Sequence, residues 1–262
     1  MTADAATAAT GGPGSTSGAR RAERLRLFAQ PIAVVVVVGA VLIWAFTTNL
    51  DDIEKRNINS TVLLQLTWQH IKLTVMVTLI VLAVAVPVGV LVTRRWARFA
   101  APVFLAIANI GQAAPSVGVL VLFFLFTGWT GFWVSVLPIA FYSLLPVLRN
   151  TMLGLRSVDP TLVEAGRGIG MSSARVLWRV EFPLAIPYVL AGLRTSLVLA
   201  VGTATLATFV GGGGLGDLIT TGYKLSRFSV LVVGAVLAVG LALLVDWLGG
   251  LAERWLGPKG LR

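Results

Sequence analysis

Six apolar segments, at 28–46, 73–92, 103–126, 132–148, 184–210 and 228–248, restrict the folds open to this chain more than any other feature. Crossing a hydrocarbon layer takes about 20 apolar residues as a helix, at 1.5 Å of rise each. With 56% hydrophobic and 12% charged residues, the chain is too apolar for an ordinary soluble domain. The valine run at 34–38 would favour a strand in water, because β-branched side chains suit a pleated surface. In lipid a lone strand leaves its backbone groups unsatisfied, so a helix is expected there too. The fold class expected is therefore an all-α membrane protein with six transmembrane helices.

The net charge of +10 does not imply nucleic acid, because the basic residues form short clusters beside the apolar runs. One set of connecting segments carries Arg20, Arg21, Arg24 and Arg26, then Arg94, Arg95 and Arg98, then Arg149, Arg156, Arg167, Arg175 and Arg179, and finally Arg254, Lys259 and Arg262. The opposite set carries only Lys55, Arg56, Lys224 and Arg227. The positive-inside rule then places both termini in the cytoplasm. Trp44, Trp68, Trp129 and Trp133 fall near the outer boundary and Trp96, Trp247 and Trp255 near the inner one, as interfacial tryptophans do. Residues 1–27 read as a disordered basic tail, since their Ala, Thr, Gly and Ser content buries little apolar surface. The first apolar run is longer than a signal-peptide core and has no convincing cleavage site after Phe46, so it is expected to be an uncleaved span.

Several chemistries lack their residues. Cysteine is absent, a single histidine cannot build a multi-histidine metal site, and neither H-E-x-x-H nor G-x-S-x-G occurs. The glycine-rich stretch 211–217 lacks the Lys-Ser/Thr pair of a phosphate-binding loop. None of the carboxylates falls in the middle of an expected span, where a proton-coupled carrier keeps one, and His70 is expected at an outer boundary. No cofactor, no metal and no catalytic residue is expected. Polar residues within the spans stand out instead: Asn109, Gln112 and Ser116 in the third, Thr203 and Thr205 in the fifth. They either line a translocation pathway or join helix to helix. Arg194, about three turns into the fifth span, is expected to snorkel to the interface.

The connecting segment 149–183 is the only sizeable one on the basic side between spans. Asp159-Pro160 is a helix start, with a capping box from Thr161 to Glu164 as an alternative two residues later. Gly168 and Gly170 end that helix, Ser172 or Ser173 caps a second, and Pro183 is expected to stop it. Within this segment, Glu164-Ala165-Gly166 is followed after three residues by Gly170, and after nine more by Val180-Glu181-Phe182-Pro183. This pattern resembles the EAA loop of the permease subunits of ATP-binding-cassette importers, with Gly166 for alanine, Val180 for isoleucine and Phe182 for leucine.

The runs 145–160 and 202–217 also look like the permeases of osmoprotectant importers for glycine betaine, carnitine and choline. The likeness extends from about His70 to Arg227. The resemblance implies a type I importer bundle in the plasma or inner membrane and a transport subunit without enzymatic activity of its own. Together with the composition and the spans, it divides the chain into the tail 1–27, a first helix and outer loop 28–69, a permease core 70–248 and a cytoplasmic tail 249–262. It implies partners too: cytoplasmic ATPase subunits gripping Glu164, Ala165, Gly166, Gly170, Val180 and Pro183, a second permease, identical or paralogous, and an extracytoplasmic substrate-binding protein. A permease for methionine or another small solute is the alternative on the same fold. A membrane receptor or scaffold without transport is the alternative of another class.

Overall fold

The computed structural model describes the backbone of residues 15–256 and the side chains of 28–256. The described residues are helical, with no strand among them. The helices are α1 (Ser15–Thr47), α2 (Asp52–Asn57), α3 (Ser60–Thr93), α4 (Ala101–Ala113), α5 (Ser116–Thr127), α6 (Phe132–Arg156), α7 (Pro160–Gly168), α8 (Ser173–Val176), α9 (Phe182–Ala204), α10 (Gly216–Lys224) and α11 (Phe228–Leu256). A 3-10 turn at Arg98–Ala100 precedes α4, a π segment at Leu177–Glu181 joins α8 to α9, and a 3-10 segment at Thr205–Val210 ends the α9 region.

Among the described residues, five helices are long and apolar enough to span a bilayer, and the bent pair α4–α5 makes a sixth span if it counts as one. That pair covers the third span expected at 103–126, but turns through 101° between Ala113 and Ser116. Pro115 has no N–H to continue the ladder and biases Ala114 toward the extended conformation it adopts, ψ 144°. The pair nevertheless runs from one end of the bundle to the other. Its entry follows Arg94, whose guanidinium holds Glu181 at the loop end, and its exit is Gly131, whose N–H donates to the Val210 carbonyl at the far end. Gln30 bonds to Leu243 O and Asp246 near the loop end, and Asp51 pairs with Arg227 at the far end, so α1 and α11 run the full length as well. Both ends of the described chain, at Ser15 and Leu256, consequently share the end that carries α7 and α8.

Helix bounds differ from expectation in four places. α3 starts at Ser60, well before Leu73, because Asn59 caps it by accepting from the Val62 N–H. α6 and α11 run on to Arg156 and Leu256, since a helix need not stop where the bilayer does. The tail expected at 1–27 is helical over 15–27; its Arg, Leu, Ala and Glu residues are good helix formers extending an existing helix. Residues 1–14 of that tail, and 257–262 of the other, lie outside the described residues.

The main core is built by α3, α4, α5, α6 and α9 around Leu73, Val81, Leu120, Ile139 and Leu148. A second cluster, including Ile58, Leu215, Leu218 and Val230, joins the far end of α3 to α10 and α11. Close approach holds the centre together. At Gly192 an added Cβ would lie 2.7 Å from the Pro146 carbonyl oxygen and 2.8 Å from Asn150 Cβ, so α9 and α6 meet there nearly backbone to backbone. The large apolar side chains left outside, such as Leu64, Phe99 and Phe126, face what would be lipid or a neighbour.

His70 is buried inside the bundle, toward its far end, and is not exposed at the surface. Its Nδ1 accepts from the Leu215 N–H at 3.3 Å, and its Nε2 lies 3.0 Å from the Val201 carbonyl. An amide can only donate and a carbonyl can only accept, so the ring is the neutral Nε2–H tautomer. The neighbouring Gln69 Oε1 accepts from the Gly214 N–H at 3.2 Å. Together the two side chains fasten the glycine-rich turn to α3, a role the sequence pattern did not suggest.

Candidate functional site: the loop 157–183 and the polar spans

At the loop, Asp159 caps α7 by accepting from the Thr161 N–H at 2.8 Å, and this bond holds its carboxyl below the usual carboxylate range. The Thr161–Glu164 capping box is not used, because α7 has already begun at Pro160. The helix closes as a Schellman motif around Gly170, whose φ is +85°. The Gly170 N–H donates to Arg167 O at 2.9 Å and the Met171 N–H to Gly166 O at 3.1 Å, the two crossed bonds that define it. Ser172 then caps α8 by accepting from the Arg175 N–H.

The third motif residue packs inside the loop, with room for the alanine of the motif. Gly166 is buried, and a Cβ there would lie 3.4 Å from Val176 Cγ2 and 3.9 Å from Val180 Cγ2. Gly166 and Val180 thus face each other across the turn, while Glu164 and Ala165 point outward and exposed. Ile169 at the tip is 76% exposed and Trp178 63% exposed, leaning on Phe182 with ring centroids 5.1 Å apart. The loop presents Glu164, the arginines Arg167, Arg175 and Arg179 and exposed apolar side chains, with its own small core behind them.

Pro183 does not stop the second helix. The chain continues without a break from Ser173 to Val210, because the π segment immediately before relaxes the i to i−4 ladder where proline would otherwise clash. The second loop helix is therefore continuous with α9. Glu181 sits in that segment, nearly buried, with its carboxylate 2.5 Å from Arg94 Nη2 at the end of α3. Arg94 is steadied in turn by Val90 O and the Thr93 hydroxyl.

The polar span residues divide into two groups. Asn109 Oδ1 accepts from Arg149 Nη2 at 2.7 Å and so links α4 to α6. Gln112 and Ser116 flank the bend, half-buried. Thr203 donates to Leu199 O and Thr205 to Gly202 O, both within their own helical segment, so neither joins helix to helix. α5, which Ser116 begins, packs against the 3-10 segment that Thr205 begins, bringing two stretches of irregular backbone together. Arg194 lies toward the loop end and is ion-paired there. It pairs with Asp246 at 2.6 Å and Glu253 at 3.6 Å, and Asp246 also accepts from Gln30, tying α9 and α1 to α11. The i to i+7 spacing of Asp246 and Glu253 on one face was the available signal.

The model of a transport family, binding-protein-dependent transport system inner membrane component, matches residues 85–258 and so extends beyond Arg227. The choline transport system permease protein OpuBB of Bacillus subtilis (strain 168) is 42% identical over 200 residues, 76% of this chain and 91% of that protein. The osmoprotectant import permease protein OsmW of Salmonella typhimurium is 37% identical over 218 residues, 81% of this chain and 100% of that protein. Among solved structures, the methionine ABC transporter MetNI in an inward-facing conformation has a chain that is 25% identical with a TM-score of 0.64, covering 75% of this chain and 96% of that one. An amino acid ABC transporter aligns with a TM-score of 0.64 at 19% identity over 79% of this chain and 99% of that one, a likeness of fold. The bundle, the Schellman-closed loop and these matches agree: this multi-pass membrane chain belongs to the family of binding-protein-dependent transport system inner membrane components.

Proposed function

We propose that the chain is the transmembrane permease subunit of an ATP-driven importer for quaternary ammonium osmoprotectants such as glycine betaine, choline or carnitine. The observation that carries the reading is the loop: its exposed Glu164, Ala165 and Ile169 need a partner, and its second helix runs unbroken into α9. ATP is hydrolysed by cytoplasmic ATPase subunits that seat α7 and α8, and the thrust passes along α9 to the bundle. The loop end then faces the cytoplasm. A second permease, identical or paralogous, completes the pathway, and an extracytoplasmic binding protein captures the substrate, whose cationic head suits an aromatic cage there. The substrate class rests on the relatives' names, which include choline and glycine betaine/carnitine/choline systems.

Gln112 and Ser116 at the bend, with Asn109, Thr203 and Thr205, form the proposed route, because unwound backbone at membrane depth is tolerated where it borders protein or a wet cavity. Reconstitution with the partner ATPase and binding protein tests the reading. ATP-dependent accumulation of glycine betaine, choline or carnitine is expected, with Gln112→Leu lowering maximal uptake several-fold while the binding protein's affinity is unchanged. Accumulation of methionine and none of these three would reject the substrate class. No accumulation of any solute, from a chain that binds no ATPase, would favour a receptor or scaffold.

A further inference from the structure

Beside the loop, the ends of α3 and α6 and the helices α7 and α8 enclose a cleft of about 430 Å³. Four arginines line it: Arg94, Arg95, Arg156 and Arg167. Glu181 is the one acidic residue in its lining, and Arg94 occupies that carboxylate at 2.5 Å. Arg95, Arg156 and Arg167 form no ion pair among the described residues. Three cations sharing one cleft repel one another, and an anion entering it reverses the sign of that interaction. Arginine's planar fork matches phosphate oxygens in particular.

The position of the cleft selects the source of the anion. Trp96 lines it and is 70% exposed, and Phe99 close by is 79% exposed. Exposed aromatic residues at the end of a membrane bundle mark the depth of the lipid headgroups. We propose that this cleft binds a phosphate-bearing anion, presented as the headgroup of an anionic phospholipid. The bound headgroup bridges α3 and α6 to the loop, since Arg167 closes α7 and Ser173 opens α8. The inference does not depend on the substrate or on the partner ATPase.

Native mass spectrometry of the purified full chain tests it, with phosphatidylglycerol and phosphatidylcholine supplied in equal amounts. The wild type is expected to retain phosphatidylglycerol at least tenfold more than the triple variant Arg95→Gln, Arg156→Gln, Arg167→Gln. The control Lys55→Gln, Arg56→Gln, Lys224→Gln removes equal charge from the opposite end and is expected to retain lipid as the wild type does. If the triple variant does not fold, each single variant is expected to lose about threefold, with Arg156→Lys restoring retention. Equal retention by wild type and cleft variants overturns the proposal. Displacement of phosphatidylglycerol by millimolar inorganic phosphate or ATP assigns the cleft to soluble phosphates and overturns the lipid source. A triple variant that keeps its lipid but loses a co-purifying ATPase makes the cleft a docking surface for acidic protein, which also overturns the proposal.

Discussion

Gly170 is the single residue on which the loop's shape turns. No atom lies within 4 Å of the position a Cβ would take, so a side chain there meets only the backbone strain of φ +85°. That strain is about 1 kcal/mol, too little to unfold the bundle. Gly170→Asp is therefore expected to reach the membrane in normal amount while uptake falls tenfold or more and ATP hydrolysis by the assembled complex no longer tracks substrate. Normal uptake at normal expression would remove the loop from the coupling path. His70 behaves in the opposite way. His70→Ala strands the Leu215 N–H and the Val201 carbonyl in the core, at about 1–3 kcal/mol for each group. A lowered thermal midpoint in detergent is expected, whereas His70→Gln, which can both donate and accept, should recover part of it. Gly170 was legible because turn chemistry is local; His70 was not, because its partners lie 145 and 131 positions away. The partner of Arg194 was hidden for the same reason, Asp246 being 52 positions on.

At the scale of elements, the apolar runs revealed the spans but not where their helices bend or continue. Proline was the source of error twice, in opposite directions. Pro115 breaks the third span at 101°, while Pro183 leaves the second loop helix intact because a π segment precedes it. A proline's effect depends on whether the carbonyl it faces is already released, and that is set by neighbours in space. The π segment is held by Arg94 through Glu181. Replacing Arg94 with alanine leaves a nearly buried carboxylate unpaired, a cost of about 3 kcal/mol, the low end for a buried pair because Arg94 is partly exposed. Arg94→Ala is expected to lower the thermal midpoint and impair uptake, and Arg94→Ala combined with Glu181→Gln should recover much of the stability. Equal midpoints for the single and double variants would show that the pair does not anchor the segment.

For the whole molecule, the bend in α4–α5 decides the parity of the topology. Were the bent pair a re-entrant hairpin, five crossings would put the two ends of the chain on opposite sides. The contacts oppose that arrangement: Arg94 reaches Glu181 at the loop end, Gly131 reaches Val210 at the far end, and the segment between them joins the two. α1 and α11 likewise meet at Gln30 and Asp246 near one end and at Asp51 and Arg227 near the other. Which end faces the cytoplasm is a separate question, on which the arginine clusters and the positive-inside rule supply an expectation. Reporters active only outside are expected to give signal when fused after Gly131 and Gly216, and reporters active only inside after Arg98, Ser157 and Arg262. Signals consistent after Arg98 and Gly131 but reversed after Ser157 and Arg262 would break the six-crossing path itself. A reversal at every site would keep the path and invert the protein, exposing α7 and α8 on the outer face, where no ATPase could reach them.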